Sequence, residues 1–436
     1  MGLTKNLKNK IIILRVVILK KISLLFFVSL LVFVLAACNE TTTGSQLNNA
    51  KDDDELYVTR GVTNDKILIG NISPHTGPIA ESGTARYGTE AYFNYINENG
   101  GVHGRQLELI SYDDQYQPSQ TVQVAPRLVE EDEVFLLLSN QGTANNFAVK
   151  DYYEENKVVS FLINTGAPDF TATKNPYWLG TGLTVYNIEA EILLEYAINE
   201  IGAKKIAVVY QNDDFGNVGF DAVKKAIGKY EGAEIIAEVP YVTGNEDFSS
   251  QAVKIKDSNP DAVLSFSLSG PTASLKKSMY DLGIDVPFLV TGLGGNNTNQ
   301  FELAGAEAWE GTISSTPYFN PTSAPDDPQM KVYAEQLAKD FPDLPIDGFA
   351  QSGWASAQVL VEALERAGED LTMEKFVEAV YTLEDWDGSM YASVSFSKEN
   401  HYGLTSVYIT EAKDGKITPI TGKITYDPET GEISSE

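Results

Sequence analysis

A two-lobed α/β protein built on parallel sheets is the fold class that this chain of 436 residues predicts, and two observations predict it. From Lys66 onward, short apolar runs alternate with amphipathic stretches of helical period, as expected of strands joined by helices and so of parallel sheets flanked by helices. The alternation runs through two cycles, and a length near 400 residues beyond the first 37 favours two or more domains over one core.

The elements follow in order. Ile67-Leu68-Ile69 is the first strand. The helix after it sets Gly88, Ala91, Tyr92, Tyr95 and Ile96 on one face and stops at Asn99-Gly100-Gly101, where glycine takes the left-handed cap. Leu107-Glu108-Leu109-Ile110 is the second strand. The next helix starts at Pro118 but contains Pro126, which removes an internal hydrogen bond and predicts a kink. Residues 134–138 and 158–163 are the third and fourth strands, with a helical pattern over 144–155 between them. After 177–183 the second cycle has strands at 206–210, 235–239, 262–266, 288–290 and 312–315, with helices between. Helical patterns at 329–341, 350–366 and 373–382 come next, and 391–396 with 405–410 reads as a terminal strand pair. The partition that results gives 66–183 and 318–388 to the first lobe, and 184–317 and 389–436 to the second.

Ahead of the lobes, residues 1–21 carry six basic residues and no acid, followed by the apolar run 22–34 and then Leu35-Ala36-Ala37-Cys38. That order of charge, apolar run and small residues before a cysteine reads as a lipoprotein export signal over 1–37, with Cys38 as the lipidated mature N-terminus. The apolar run is shorter than the ~20 residues that a membrane-crossing helix needs. Cys38 is the sole cysteine, so no intrachain disulfide is available and the fold relies on packing. Residues 38–65, rich in Thr, Ser, Asn and Asp and including Asp52-Asp53-Asp54-Glu55, read as a flexible tether, with packing expected to begin at Lys66. Of 32 Lys and Arg, six precede Cys38, which leaves 26 against 61 Asp and Glu, a formal charge of −35. Such a surface repels polyanions, and nucleic-acid binding is excluded as a function.

Six motifs occur in sequence: 69–78 (Ile-Gly-Asn-Ile-Ser-Pro-His-Thr-Gly-Pro) after the first strand, 97–105 (Asn-Glu-Asn-Gly-Gly-Val-His-Gly-Arg) closing the first helix, Tyr112-Asp113-Asp114, Gly142-Thr143, Gly166-Ala167-Pro168, and Asp213-Asp214-Phe215-Gly216. In these, and over nearly all of the chain from Asp65, the sequence resembles the type I periplasmic binding proteins of the branched-chain amino acid (Leu/Ile/Val-binding) kind. The resemblance implies two Rossmann-like lobes joined by a three-segment hinge, closing on a small solute and delivering it to the permease subunits of an ABC importer. It also implies a place in the cell envelope, on the outer face of the cytoplasmic membrane through the Cys38 lipid, or in the periplasm.

In open parallel sheets ligands sit beyond the carboxyl ends of the strands, at helix starts. The loop 139–143 is such a place, with Asn140, Gln141, Gly142 and Thr143 as candidates; the Thr143 hydroxyl either caps the following helix or meets a ligand carboxylate, its role in the family. Asn164, Thr165 and Gly166 follow the fourth strand. The resemblance puts the family's hydroxyl on Gly166, so the donor is uncertain by one residue from Thr165. Across the cleft Phe215, Leu268 and Ser269 stand where relatives often place tyrosines, and predict an apolar wall; Ser82 completes the candidate set. Gly292-Leu293 falls where relatives carry a glutamate for the substrate ammonium. A buried cation needs a paired acid, so an amino acid ligand requires a substitute such as Asp213 or Asp214, while an amide, a urea or a small acid fits as well. Tyr186 either stacks on a planar ligand or packs as an ordinary helix start.

Other chemistry is not supported. Asp113-Asp114 lacks the positioned partner that a catalytic carboxylate pair needs and reads as turn and cap chemistry. Gly292-Leu293-Gly294-Gly295 lacks dinucleotide-binding spacing, and His75, His103 and His401 are too scattered for zinc. No catalytic residue, metal or cofactor is expected. A lipoprotein signalling to a membrane receptor is the alternative to import, with an amide or cell-wall hydrolase further behind.

Overall fold

The computed structural model describes residues 56–436 apart from Pro78, Thr173, 319–323 and Asp347. The export signal, Cys38 and the tether up to Glu55 lie outside the described residues. Residues 56–65, expected in the tether, are packed: Tyr57 meets Tyr177 edge-on at 6.2 Å, Arg60 donates to the Asn156 carbonyl at 2.6 Å, and the Thr59 hydroxyl accepts from the Met373 N–H at 2.9 Å. The composition that suggested a tether ends at Glu55, and Leu56, Tyr57 and Val62 supply the apolar contacts.

The first lobe runs β1 (Lys66–Ser73), α1 (Ala85–Glu98), β2 (Gln106–Asp113), α2 (Pro118–Pro126), β3 (Leu136–Leu138), α3 (Thr143–Glu155), β4 (Ser160–Ile163) and β5 (Trp178–Thr181). Its five strands form one parallel sheet in the order β2-β1-β3-β4-β5. At Pro126, where a kink was expected, α2 ends, and 127–131 continues in the wider π form, closed by the Asp132 N–H donating to Arg127 O at 2.8 Å.

The second lobe runs α4 (Tyr186–Asn199), β6 (Lys205–Gln211), α5 (Asp214–Ala226), β7 (Glu234–Tyr241), α6 (Ser249–Ser258), β8 (Ala262–Phe266), α7 (Ser269–Asp281), β9 (Phe288–Val290), three four-residue helices α8 (Gly292–Gly295), α9 (Gln300–Leu303) and α10 (Ala306–Trp309), and β10 (Ile313–Thr316). The chain then returns to the first lobe as α11 (Pro328–Asp340), α12 (Phe349–Ala367) and α13 (Met373–Val380), and ends with β11 (Ser406–Lys413), β12 (Lys416–Pro419), β13 (Ile424–Tyr426) and β14 (Ile433–Ser435). In the second sheet β6 to β10 are parallel, and β11 joins antiparallel to β10.

The terminal strand pair is half right. β11 forms, but 391–396 makes only isolated bridges, Tyr391 to Tyr318, Val394 to Trp386 and Ser395 to Gly403. Met390, Tyr391, Val394, Phe396 and Leu404 are buried in the core of the first sheet, so this stretch belongs with that lobe although its alternating pattern resembled a strand of the other.

The return segment is locked in by backbone contact. A Cβ on Gly88 of α1 would stand 1.7 Å from the Ala350 carbonyl oxygen, and one on Gly353 of α12 would stand 1.8 Å from that of Ala85. Only glycine allows the two helices this approach, and Thr89 Oγ1 adds a bond to Gly353 O at 3.1 Å.

Candidate functional site

The first wall of the cleft is the row of loops beyond β3 and β4. Gln141 and Asn164 continue the parallel pairing past the strands. Asn140 Oδ1 accepts the Ile72 N–H at 2.8 Å, and Asn164 Nδ2 donates to Gln141 Oε1 at 2.9 Å. Asn140, Gln141 and Asn164 are therefore engaged in holding the strand ends together. Gly142 has φ +97°, a conformation that favours glycine, and a Cβ there would stand 2.7 Å from the Tyr116 ring.

Gly142, not Thr143, occupies the cap position of α3, and no side chain caps it. Thr143 is the first helical residue, and its hydroxyl lies 2.7 Å from that of Thr165, both buried. The capping alternative for Thr143 is thereby corrected, because its hydroxyl turns to Thr165 and not to the helix N–H groups. Thr165, not Gly166, supplies the hydroxyl beside Thr143.

Tyr186, the first residue of α4, closes on this pair. Its N–H donates to Gly166 O at 2.7 Å, and its phenol lies on the side of the Thr165 and Thr143 hydroxyls. Burial pushes the phenol up to about 12, against the influence of those hydroxyls. A Cβ on Gly166 would fall 2.6 Å from the Tyr186 ring, so the missing side chain at 166 makes room for that ring.

The second wall is apolar. Phe215 and Leu268 share one buried cluster with Tyr186 and Leu183, with Ile79 and Leu293 packed at its edge. Tyr186 meets Phe215 edge-on at 5.0 Å. Phe215 is positioned by Asp213, whose Oδ1 caps α5 by accepting the N–H groups of Phe215 and Gly216 at 3.1 and 3.2 Å. Asp213 is thus occupied and Asp214 is exposed, which removes both as the substitute anion. Ser82, bonded to Ile79 O at 2.8 Å, and Ser269 line a side groove with Leu268 and Phe349. At the same mouth Asn297 of the second lobe donates to Glu81 of the first at 2.8 Å.

The acid absent from Gly292-Leu293 is present in space. Glu189 of α4 is 4% exposed, and its Oε1 accepts the Gly292 N–H at 2.8 Å and the Ser315 hydroxyl. Burial pushes its carboxyl up to about 7, against those two bonds. Sequence reading missed it, although one signal existed: of the three glutamates of α4, Glu189 alone falls on the face shared by Tyr186, Leu193 and Ala197, all buried, while Glu191 and Glu195 lie off it. Glu189 lines a small cavity of about 30 Å³ where two chain crossings between the lobes meet; Leu183, Thr184, Tyr186, Leu293, Asn296 and Tyr318 are among its walls.

Asp113 and Asp114 do serve turns. Asp113 accepts from His75, Thr76 and Gln115 N–H groups, and Asp114 from Tyr116 N–H, Thr121 and Asn145. Among the described residues no cluster of three or more His, Cys, Asp or Glu is arranged to hold a metal.

A family model described as periplasmic binding protein matches residues 66–416. The chain belongs to that family. Among the relatives of this periplasmic binding protein is Leu/Ile/Val-binding protein homolog 3 of Brucella melitensis, 27% identical over 363 residues, or 80% of this chain and 92% of the relative. Two solved structures share the fold. One is a branched-chain amino acid ABC transporter protein of Thermus thermophilus with bound valine, at TM-score 0.74, 24% identity and coverage of 83% of this chain and 97% of that one. The other is a fatty acid ABC transporter substrate-binding protein of Thermomonospora curvata, at TM-score 0.72, 23% identity and coverage of 86% and 92%. These relatives are binding proteins and not enzymes, and the two-lobed α/β fold is the one that the sequence predicted.

Proposed function

We propose that this periplasmic binding protein is an extracytoplasmic receptor, held to the membrane by a lipid on Cys38, that captures a small solute between its lobes and delivers it to an ABC importer. The observation that carries the reading is the convergence of the two walls. Thr143 and Thr165 from the first lobe and Phe215, Leu268 and Leu293 from the second meet around one side chain, Tyr186. A ligand that touches both walls favours the closed form, whereas one that touches a single wall equally in both states shifts nothing. The names of the relatives put amino acids first among solutes, and the amide and small-acid classes remain within reach of the same walls. A thermal-shift screen of amino acids, amines, amides, urea and small acids tests the reading, followed by small-angle scattering with each hit. A stabilising solute that is recovered unchanged and reduces the radius of gyration is the expected result; no stabilisation by any class overturns it.

A further inference from the structure

We infer that the ligand is an amine with a short apolar body, and that it binds with its nitrogen in the Glu189 cavity while Tyr186 takes the place of a ligand carboxylate. The inference deepens the solute-binding reading and rests on it.

The cavity is lined by acceptors. Both hydrogen bonds that the chain gives Glu189 end on Oε1, which leaves Oε2 to the cavity. Asn296 also lines it, 4% exposed, and its orientation is fixed by its neighbours. The Thr316 hydroxyl donates to Tyr318 O at 2.7 Å, so it accepts from Asn296 Nδ2 at 2.9 Å, and Asn296 Oδ1 is left buried without a donor. Thr184 Oγ1, on a residue 3% exposed, is a second buried atom without a partner among the lining residues. Among the described residues no Lys, Arg or His lines the space, and besides Glu189 its titratable groups are Tyr186 and Tyr318. A carboxylate and an amide oxygen facing one apolar chamber call for N–H donors, because an acceptor ligand would leave them unsatisfied. Leu183, Leu293, Pro317 and Phe349 supply the apolar remainder.

The other end of the crevice points the same way. The Thr143 hydroxyl, which the family resemblance assigns to a ligand carboxylate, is already paired with Thr165, and the Tyr186 phenol stands beside the two. Gly166 admits the Tyr186 ring that makes this contact. The two departures from the family pattern, Gly166 and Gly292-Leu293, thus belong together: one admits a protein hydroxyl where a carboxylate would bind, and the other leaves Glu189 as the acid.

Calorimetry with three probes of one carbon skeleton tests this: isoamylamine, leucine and 4-methylpentanoate. Isoamylamine is expected to bind at least as tightly as leucine, and 4-methylpentanoate at least tenfold more weakly. Glu189→Gln keeps an oxygen for Gly292 and Ser315 and is expected to weaken the amine tenfold or more, with its own melting temperature as the check on folding. Thr184→Val, which leaves Glu189 in place, is expected to weaken it two- to fivefold. Tighter binding of 4-methylpentanoate, or amine affinity unchanged in folded Glu189→Gln, overturns the inference while the solute-binding reading stands. Binding of none of the three overturns the inference, and the broader solute screen then decides the receptor reading separately.

Discussion

Replacing Glu189 by glutamine changes how stability depends on pH, and the structure sets the size of the change. An ordinary glutamate titrates near 4.5, and burial pushes Glu189 up to about 7. A carboxyl raised in the fold contributes stability in full below its unfolded value, while it is protonated in both states, and loses it as pH rises through the folded value. Each pH unit crossed between the two values costs about 1.4 kcal/mol, so the wild-type chain loses about 3 kcal/mol between those limits on account of this one residue. The glutamine that replaces it has no charge to desolvate and loses none of that stability. The groups facing Glu189 are the Ser315 hydroxyl, the Gly292 N–H, and Tyr186 one turn earlier on α4, none of which carries a positive charge to offset the effect. Urea unfolding of both proteins at about pH 4 and about pH 8, followed by tryptophan fluorescence, measures the difference. The variant is expected to gain on the wild type by about 3 kcal/mol at the higher pH. A gap between the two proteins that stays constant with pH, or that moves the other way, refutes the argument that Glu189 is desolvated in the closed fold.

Three further outcomes follow from the packing. Thr143→Ala removes the buried hydroxyl that pairs with Thr165, and is expected to cost about 1–3 kcal/mol of stability in urea unfolding. Asn297→Ala breaks the bond to Glu81 across the cleft mouth; the loss of about 1 kcal/mol from the closed form should reduce affinity about fivefold in a calorimetric titration. Gly88→Ala drives a methyl group into the Ala350 carbonyl and is expected to cost about 3 kcal/mol in thermal or urea unfolding, since backbone on both sides has no rotamer with which to give way.

The strands and helices of both lobes were legible because each has a period of its own, and the loops at strand ends followed from the topology of parallel sheets. Thr143 was singled out by that route, and Thr165, Phe215 and Leu268 by the family resemblance. What escaped sequence reading was whatever depends on two distant segments meeting. Glu189 lies 103 residues from the Gly292 whose N–H it accepts, and nothing local marks the two as neighbours. Tyr186 was read as packing or stacking, because its hydroxyl's approach to Thr143 is set by the angle at which α4 leaves the first crossing. The stretch 391–396 was misassigned for the same reason: its alternation is real, but its partners are single residues at 318, 386 and 403 and not a strand. Residues 56–65 looked like tether by composition, and the rings and hydroxyls that anchor them have partners as far away as Met373.

The core of the first sheet is assembled from two stretches that lie far apart in the chain, Ile67 to Leu179 and Tyr318 to Leu404. A ribosome that has made α1 has therefore not yet made the helix that covers it, and the contacts of Gly88 wait more than 250 residues for Ala350 to appear. The second sheet also waits, because β11 must pair with β10. Such long-range closure makes folding slow and late. Throughout most of its synthesis the polypeptide is without either finished core, so any factor that engages it before completion meets an unfolded chain.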